Sequence, residues 1–347
     1  MIDPQKIVFG LDSFGDIPTD DANKLMTQAQ AIRQVVTEAK VADELGIDVI
    51  ALGEHHRSEY AISSPETVLA GIATQTKQIT LASGVTVLSS DDPVRVYERF
   101  ATLDALSNGR AEVVLGRGSF TESFPLFGYD LSDYDLLFEE KINLFSRLLE
   151  EGTITWSGKT RAALDGIEVF PKTEKGHLAT RVAVGGSPES VVRAARYGFP
   201  ITLAIIGGSP KRFTSYVKLY QKAAQKFGTQ TAPIAFHSHG VIADSDEEAM
   251  TLAWEHIRKS MVRIGNERGW VPMSRTQFEQ EVKQGSIYAG SPETVAQKLA
   301  AAIRQLGAGR FELAYGAGEL AATKRLRTIE LYATKVIPRV REILAEE

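Results

Sequence analysis

Gly46-Ile47-Asp48-Val49-Ile50-Ala51-Leu52-Gly53-Glu54-His55-His56-Arg57, read with the residues in front of it, decides the fold. In residues 30–45 the side chains Ile32, Val35, Val36, Ala39, Ala42 and Leu45 recur at helical spacing and Gly46 ends the run, which predicts an amphipathic helix whose stripe is core. Residues 47–52 are then apolar nearly throughout, as a strand covered on both faces requires. A polar cluster follows at once. Helix, buried strand and polar loop in that order form the repeating unit of a parallel sheet with crossover helices.

Working outward, the same unit recurs to both ends of the chain. Strands are expected at residues 6–14, 47–52, 79–87, 111–115, 181–184, 201–206, 234–243 and 310–315. Eight units favour an α/β fold closed as a (β/α)8 TIM barrel with loop insertions over an open sheet. Ser64-Pro65, Ser187-Pro188, Ser209-Pro210 and Ser291-Pro292 each place a capping hydroxyl before a proline suited to the first helical position. Residues 15–27, 152–180 and 266–290 exceed a minimal unit and read as insertions. The first should overhang the pocket, because loops after strands build the catalytic face of a barrel, and the third suits a mobile lid. The second contains a small hairpin over 153–156 and 166–170. No linker splits the chain, so residues 1–347 are expected to form one barrel domain.

Of the 347 residues 43% are hydrophobic and 24% charged, a balance that supports a sizeable core. The net charge of −5 is mixed along the chain and leaves no basic stripe for nucleic acid or anionic lipid, so small molecules are the expected partners. The absence of cysteine excludes disulfides, thiolate nucleophiles and cysteine metal sites. The start, Met1-Ile2-Asp3-Pro4-Gln5-Lys6, has no signal pattern, and no run approaches the roughly 18 apolar residues of a membrane span. The expected compartment is the cytoplasm.

Four strand ends carry residues suited to chemistry. Gly53-Glu54-His55-His56-Arg57 sits where a barrel opens its pocket, and an imidazole there titrates near neutrality and serves acid/base work; position alone does not choose between His55 and His56. In Ala82-Ser83-Gly84-Val85-Thr86-Val87 a glycine interrupts a buried strand, permitting an unusual backbone angle or the approach of a flat ligand, or simply making room for a neighbour. Leu115-Gly116-Arg117-Gly118-Ser119-Phe120 sets a cation between glycines, a weak anion signal by itself. Val184-Gly185-Gly186-Ser187-Pro188-Glu189-Ser190 brings a glycine pair to a helix N-terminus, where free amides and the helix dipole favour phosphate. Gly207-Gly208-Ser209-Pro210 repeats that composition, and the spacing does not choose between them. His237 and His239 alternate on one strand and point the same way, as paired metal ligands do, but only six histidines occur, with no HExxH and no evident third ligand, so no metal is expected. Phe14, Tyr60, Phe120 and Phe124 are candidates for the pocket lining.

These pieces, in order, resemble the bacterial luciferase-like monooxygenases along nearly the whole chain. The resemblance rests on Leu52-Gly53-Glu54-His55-His56, Leu88-Ser89-Ser90-Asp91-Asp92-Pro93-Val94-Arg95, Leu103-Asp104-Ala105-Leu106-Ser107-Asn108-Gly109-Arg110, Gly116-Arg117-Gly118 and Gly290-Ser291-Pro292-Glu293-Thr294-Val295. It implies a barrel that binds FMN, with reduced FMN as cosubstrate. His55 matches the catalytic histidine. Glu54, Gly84, Val85, Thr86, Arg117, Gly118, Gly185, Gly186, Ser187 and Ser190 match cofactor positions, with Gly84-Val85 as a non-proline cis peptide against the ring and Arg117 and Ser187 at the phosphate. Luciferase itself has a cysteine where Gly116 stands and a glutamate-serine pair where this chain has Gly186-Ser187, so light emission is not implied.

The expected reaction is oxygenation of a small organic substrate by O2, the flavin doing the difficult chemistry. No GxGxxG unit is present for a nicotinamide, which implies a separate flavin reductase. The resemblance also implies a homodimer. Rival readings are a deazaflavin-dependent reductase or dehydrogenase of the same superfamily, a non-catalytic flavin-binding subunit and, further off, a metal-dependent hydrolase.

Overall fold

The computed structural model describes residues 3–118, 120–269, 271–316 and 318–346. Ser119 of the arginine-glycine motif, Trp270 of the third insertion and the first two residues of the chain lie outside the described residues.

All eight expected strands form. They are β1 (Val8–Ser13), β2 (Val49–Leu52), β3 (Thr80–Ser83), β4 (Ala111–Gly116), β5 (Ala179–Val184), β6 (Ile201–Ala204), β7 (Ile234–Ile242) and β8 (Ala308–Ala314). Each pairs in parallel with the next, and β8 pairs with β1 at Arg310↔Val8 through Ala314↔Asp12, which closes the barrel. Closure explains the composition: β2, β4 and β8 are buried along their whole length, one face toward the barrel interior and the other under the helices. Low in the interior, Arg310 lies 2.8 Å from Glu112 and donates to Glu312 at 2.6 Å, so the charges there are paired.

The expected helix over 30–45 spans Gln28–Glu44. It starts in a capping box between Thr27 and Gln30, and Gly46 follows with φ +76°. Its buried stripe contains Val35, Ala39 and Ala42, but also Glu38 and Asp43. Both carboxylates are satisfied: the Tyr315 hydroxyl donates to Glu38 at 2.8 Å and Gln34, one turn earlier, at 3.1 Å, and the amides of Lys77, Gln78 and Ile79 donate to Asp43. The four serine-proline pairs all mark N-termini. Only Ser187 and Ser209 accept the capping bond; Ser64 and Ser291 hold the position without it.

Three departures matter for the site. The long third strand breaks after Ser83, the Gly84-Val85 peptide is cis, and a short strand Thr86–Val87 resumes on β4. The second insertion forms a hairpin, Ile154–Trp156 against Leu164–Ile167, close to the expected place. Among the described residues the third does not line the pocket: helix Asp246–Arg268 runs into it, helix Arg275–Gln284 follows, and Tyr288–Gly290 adds a parallel strand to β7. Phe278, Ile287 and Ala289 are buried against Ile257, Ala253 and Val241, and this secondary core ties the insertion to the barrel flank.

Candidate functional site

A cavity of about 530 Å³ opens at the carboxyl ends of the strands. Every residue expected at the cofactor or catalytic site lines it except Thr86. Thr86 is buried with its side chain to the other face, since Val85 and Val87 take the cavity side of an extended segment.

The two histidines after β2 have different surroundings. His55 is stacked on Tyr60 at 4.5 Å, edge-on to Phe14 and Phe120 at 5.1 and 5.0 Å, with Nδ1 3.8 Å from Glu122 Oε1. His56 Nε2 lies 2.9 Å from Glu54 Oε1, and that hydrogen bond, opposed by burial, raises its pKa. Glu54 Oε2 accepts the Val87 amide at 2.8 Å, so Glu54 and His56 brace the loop against the broken third strand. His55 is left between aromatic rings facing the cavity. Of the aromatic candidates, Phe14, Tyr60 and Phe120 line the cavity, whereas Phe124 is fully buried and stacks on Tyr134.

The glycines keep this wall flat. A Cβ on Gly84 would lie 3.0 Å from Asp12 Oδ1, and one on Gly116 would lie 2.5 Å from Val85 Cγ2, so the side chain that follows the cis peptide occupies the space a larger residue at 116 would need. Arg117 rests over the Tyr134 ring at 5.1 Å and pairs with Asp135 at 2.9 Å, while the Tyr134 hydroxyl donates to the Gly118 carbonyl at 2.8 Å.

The two glycine-glycine-serine-proline turns are distinguished here. At the first, nothing lies within 4 Å of a Cβ built on Gly185 or Gly186, both line the cavity, and Ser187 caps helix Pro188–Arg196 through the Ser190 amide. At the second, the Gly208 amide donates to both oxygens of Glu281, at 3.1 and 3.0 Å, and neither Gly207 nor Gly208 lines the cavity. A carboxylate of the chain already holds the anion position there.

Several polar side chains in the cavity escaped the sequence reading or were read for another role, among them Asp12, Asp16, His237 and His239. Asp12 and Asp16 enter from the end of β1 and the loop after it. A carboxylate inside the apolar run 6–14 was the available signal for Asp12. Asp16 accepts the Gly318 amide at 2.9 Å, and burial, opposed by Arg325, pushes its pKa up to about 7. His237 and His239 point inward together, as their alternation predicts, with ring centroids 6.4 Å apart. His237 Nδ1 lies 2.8 Å from Asp12 Oδ2; burial disfavours its charge, but the Asp12 contact prevails and raises its pKa. Burial, with His237 beside it, pushes His239 down to about 4. Among the described residues no group of three or more His, Cys, Asp or Glu is placed to hold a metal ion. The roof is one face of helix Asp246–Arg268, with Ile257, Ser260, Met261 and Ile264 at helical spacing. A second cavity of about 290 Å³ shares Asp16, Tyr60 and Ser260 with the first and forms an antechamber beside it.

Residues 17–310 match the family model described as luciferase-like monooxygenase. The alkanal monooxygenase alpha chain of Photorhabdus luminescens is 26% identical over 226 residues, which are 65% of this chain and 61% of that relative. The chain therefore spans less than two thirds of the length of that relative. Among solved structures, the monooxygenase RslO1 from Streptomyces bottropensis superposes with a TM-score of 0.85 at 22% identity, covering 96% of this chain and 99% of that one. The coenzyme F420-dependent tetrahydromethanopterin reductase from Methanopyrus kandleri superposes with a TM-score of 0.71 at 18% identity, again covering 96% and 99%. The barrel is thus common to oxygenases and deazaflavin enzymes, and the shape alone does not select a cofactor. Among the described residues no helix is long and apolar enough to cross a membrane.

Proposed function

The chain belongs to the luciferase-like monooxygenase family, and from that premise we propose that it binds FMN, takes it up in the reduced form from a separate reductase, and oxygenates a small organic substrate with O2. The observation that carries this reading is the open first turn: Gly185, Gly186 and Ser187 reach the cavity at a helix N-terminus, facing the same space as Arg117 and the cis Gly84-Val85 peptide. Backbone amides at such a terminus and a guanidinium suit a phosphate, and a wall of glycines suits a flat ring. The Ser187 hydroxyl donates to Glu189, an exposed side chain that can turn away to water when phosphate arrives.

In this reading Arg117, Gly185, Gly186, Ser187 and Ser190 hold the phosphate, while Glu54, Gly84, Val85 and Gly118 shape the ring site. Reduced FMN supplies the electrons that activate O2. His55 donates or accepts a proton at the reacting oxygen from its aromatic box, and the apolar roof of Ile257, Met261 and Ile264 keeps water out. Homodimerisation and a cytoplasmic location belong to the same proposal.

The deazaflavin reading is weakened by charge. Arg117 is the one lysine or arginine among the described residues lining the cavity, enough for one phosphate but not for a coenzyme whose tail adds carboxylates. Anaerobic titration with oxidised FMN, reduced FMN and the deazaflavin coenzyme tests both. Preference for reduced FMN, followed by O2 uptake, is the expected result. Preference for the deazaflavin selects the reductase, and binding of none overturns the flavin assignment.

A further inference from the structure

We propose that Asp12 and His237 form a second acid–base dyad in the cavity, in which His237 Nε2 takes the proton of a phenolic hydroxyl on the substrate. The proposal rests on the monooxygenase reading for its chemical consequence, though not for its geometry.

Asp12 is 2% exposed and stands at the end of β1; His237 is 8% exposed and projects from β7, in register with Glu312 of β8. Asp12 Oδ2 lies 2.8 Å from His237 Nδ1, an ion-pair contact without the alignment of a hydrogen bond, and Nε2 is the other ring nitrogen able to meet a ligand. Among the described residues neither Asp12 Oδ1 nor His237 Nδ1 has a hydrogen-bond partner, although both atoms are buried and both residues line the cavity. A carboxylate that orients one imidazole nitrogen while the other faces a cavity is the arrangement of a general base. Phe14 is edge-on to both His55, at 5.1 Å, and His237, at 6.4 Å, so the two imidazoles are separate centres.

The ligand class follows from charge and shape. The groups acting on His237 are Asp12 from β1 and Glu312 from β8, both carboxylates, with His239 on its own strand and His55 near Asp12. Glu312 is already paired with Arg310, so Asp12 is the carboxylate that strengthens the base and disfavours a ligand that arrives as an anion, which argues against carboxylic acids at neutral pH. Aliphatic alcohols hold their protons too tightly for an imidazole. A neutral compound with an acidic hydroxyl remains, and it loses its proton inside the site without changing the site's net charge. The rings of Phe14, Tyr60 and Phe120 favour a flat aromatic body.

The chemistry is complementary to oxygenation. Moving the O–H proton to Nε2 leaves the electron pair on the phenolic oxygen, from which it spreads to the ortho and para carbons and makes them nucleophilic toward an electrophilic oxygen. One such carbon gains the oxygen atom and loses its own proton as aromaticity returns, and the proton on His237 goes back to the phenolate. Overall, phenol, O2 and reduced FMN give the hydroxylated phenol, water and oxidised FMN.

The test uses 4-nitrophenol, colourless as the phenol and yellow as the phenolate, added to the cofactor-free protein at a pH about one unit below the probe's own pKa, where roughly nine-tenths of the free probe is protonated. Wild type is expected to turn the bound probe yellow in a saturable titration. His237→Gln should abolish the colour, and Asp12→Asn should raise the apparent pKa of the bound probe by about one unit because the imidazole loses its orienting partner. FMN binding, followed on the same variants, should persist and so report that the barrel is intact. A probe held colourless by wild type, no uptake of the probe, or a colour indifferent to His237→Gln would overturn the dyad. Colour that depends on His237 in a protein that binds no FMN would uphold the dyad and sink the oxygenase reading instead.

Discussion

Gly185-Gly186-Ser187-Pro188 and Gly207-Gly208-Ser209-Pro210 are the same four residues after two successive strands, and both serines cap the segment that follows. The first turn opens onto the main cavity, whereas the second closes on the Glu281 carboxylate, which also accepts the amide and hydroxyl of Ser286. The comparison teaches that a phosphate cradle is made by what is kept away from it. Local sequence prepares an anion-binding helix terminus twice, and the third insertion fills one of them with an anion of the chain itself.

The largest expected difference concerns the cations. Arg117→Ala removes a charge-assisted contact of about 1.5–3 kcal/mol and should weaken FMN binding roughly 10- to 100-fold in a fluorescence titration. Arg212→Ala, beside Gly208, should leave the affinity within about twofold. Equal losses would break the distinction between the turns.

Next in size is the plug. Glu281→Ala leaves the Gly208 and Ser286 amides without their acceptor and should lower unfolding free energy by about 1–3 kcal/mol in urea, with FMN affinity unchanged. A gain of flavin binding at the second turn would show that the plug alone had kept it from serving.

The smallest effect separates capping from ligand contact. Ser187→Ala and Ser209→Ala each remove a cap and should cost about 1 kcal/mol of stability, but only Ser187→Ala should also weaken FMN binding, by a few fold. If both variants bind FMN like wild type, Ser187 serves as a cap alone.

The legible features share a physical property: they are local. The stripe Val35, Ala39 and Ala42 and the buried runs of β2 and β4 announce their burial through spacing of a few residues. The cis Gly84-Val85 peptide was implied only by resemblance; the glycine by itself permitted two readings. Misreadings arose where partners are distant in the chain. The third insertion reads as a lid because it is long, yet its Tyr288–Gly290 segment is a strand on β7, and the roof belongs to helix Asp246–Arg268. His237 and His239 share a face as their alternation requires, but whether that face meets a metal ligand, a carboxylate or water is not written in their spacing.

By itself, then, the order of apolar runs, glycines and serine-proline caps determined an eight-stranded parallel barrel with a polar mouth, because each strand's burial and each helix start is set by neighbours within a turn or two. Only the tertiary structure decided which glycine turn stays open and which is filled by Glu281, that His55 stands among rings while His56 braces Glu54, and that Asp12 meets His237. Those outcomes depend on barrel closure, which brings side chains from opposite ends of the chain within hydrogen-bond reach and leaves others facing the cavity.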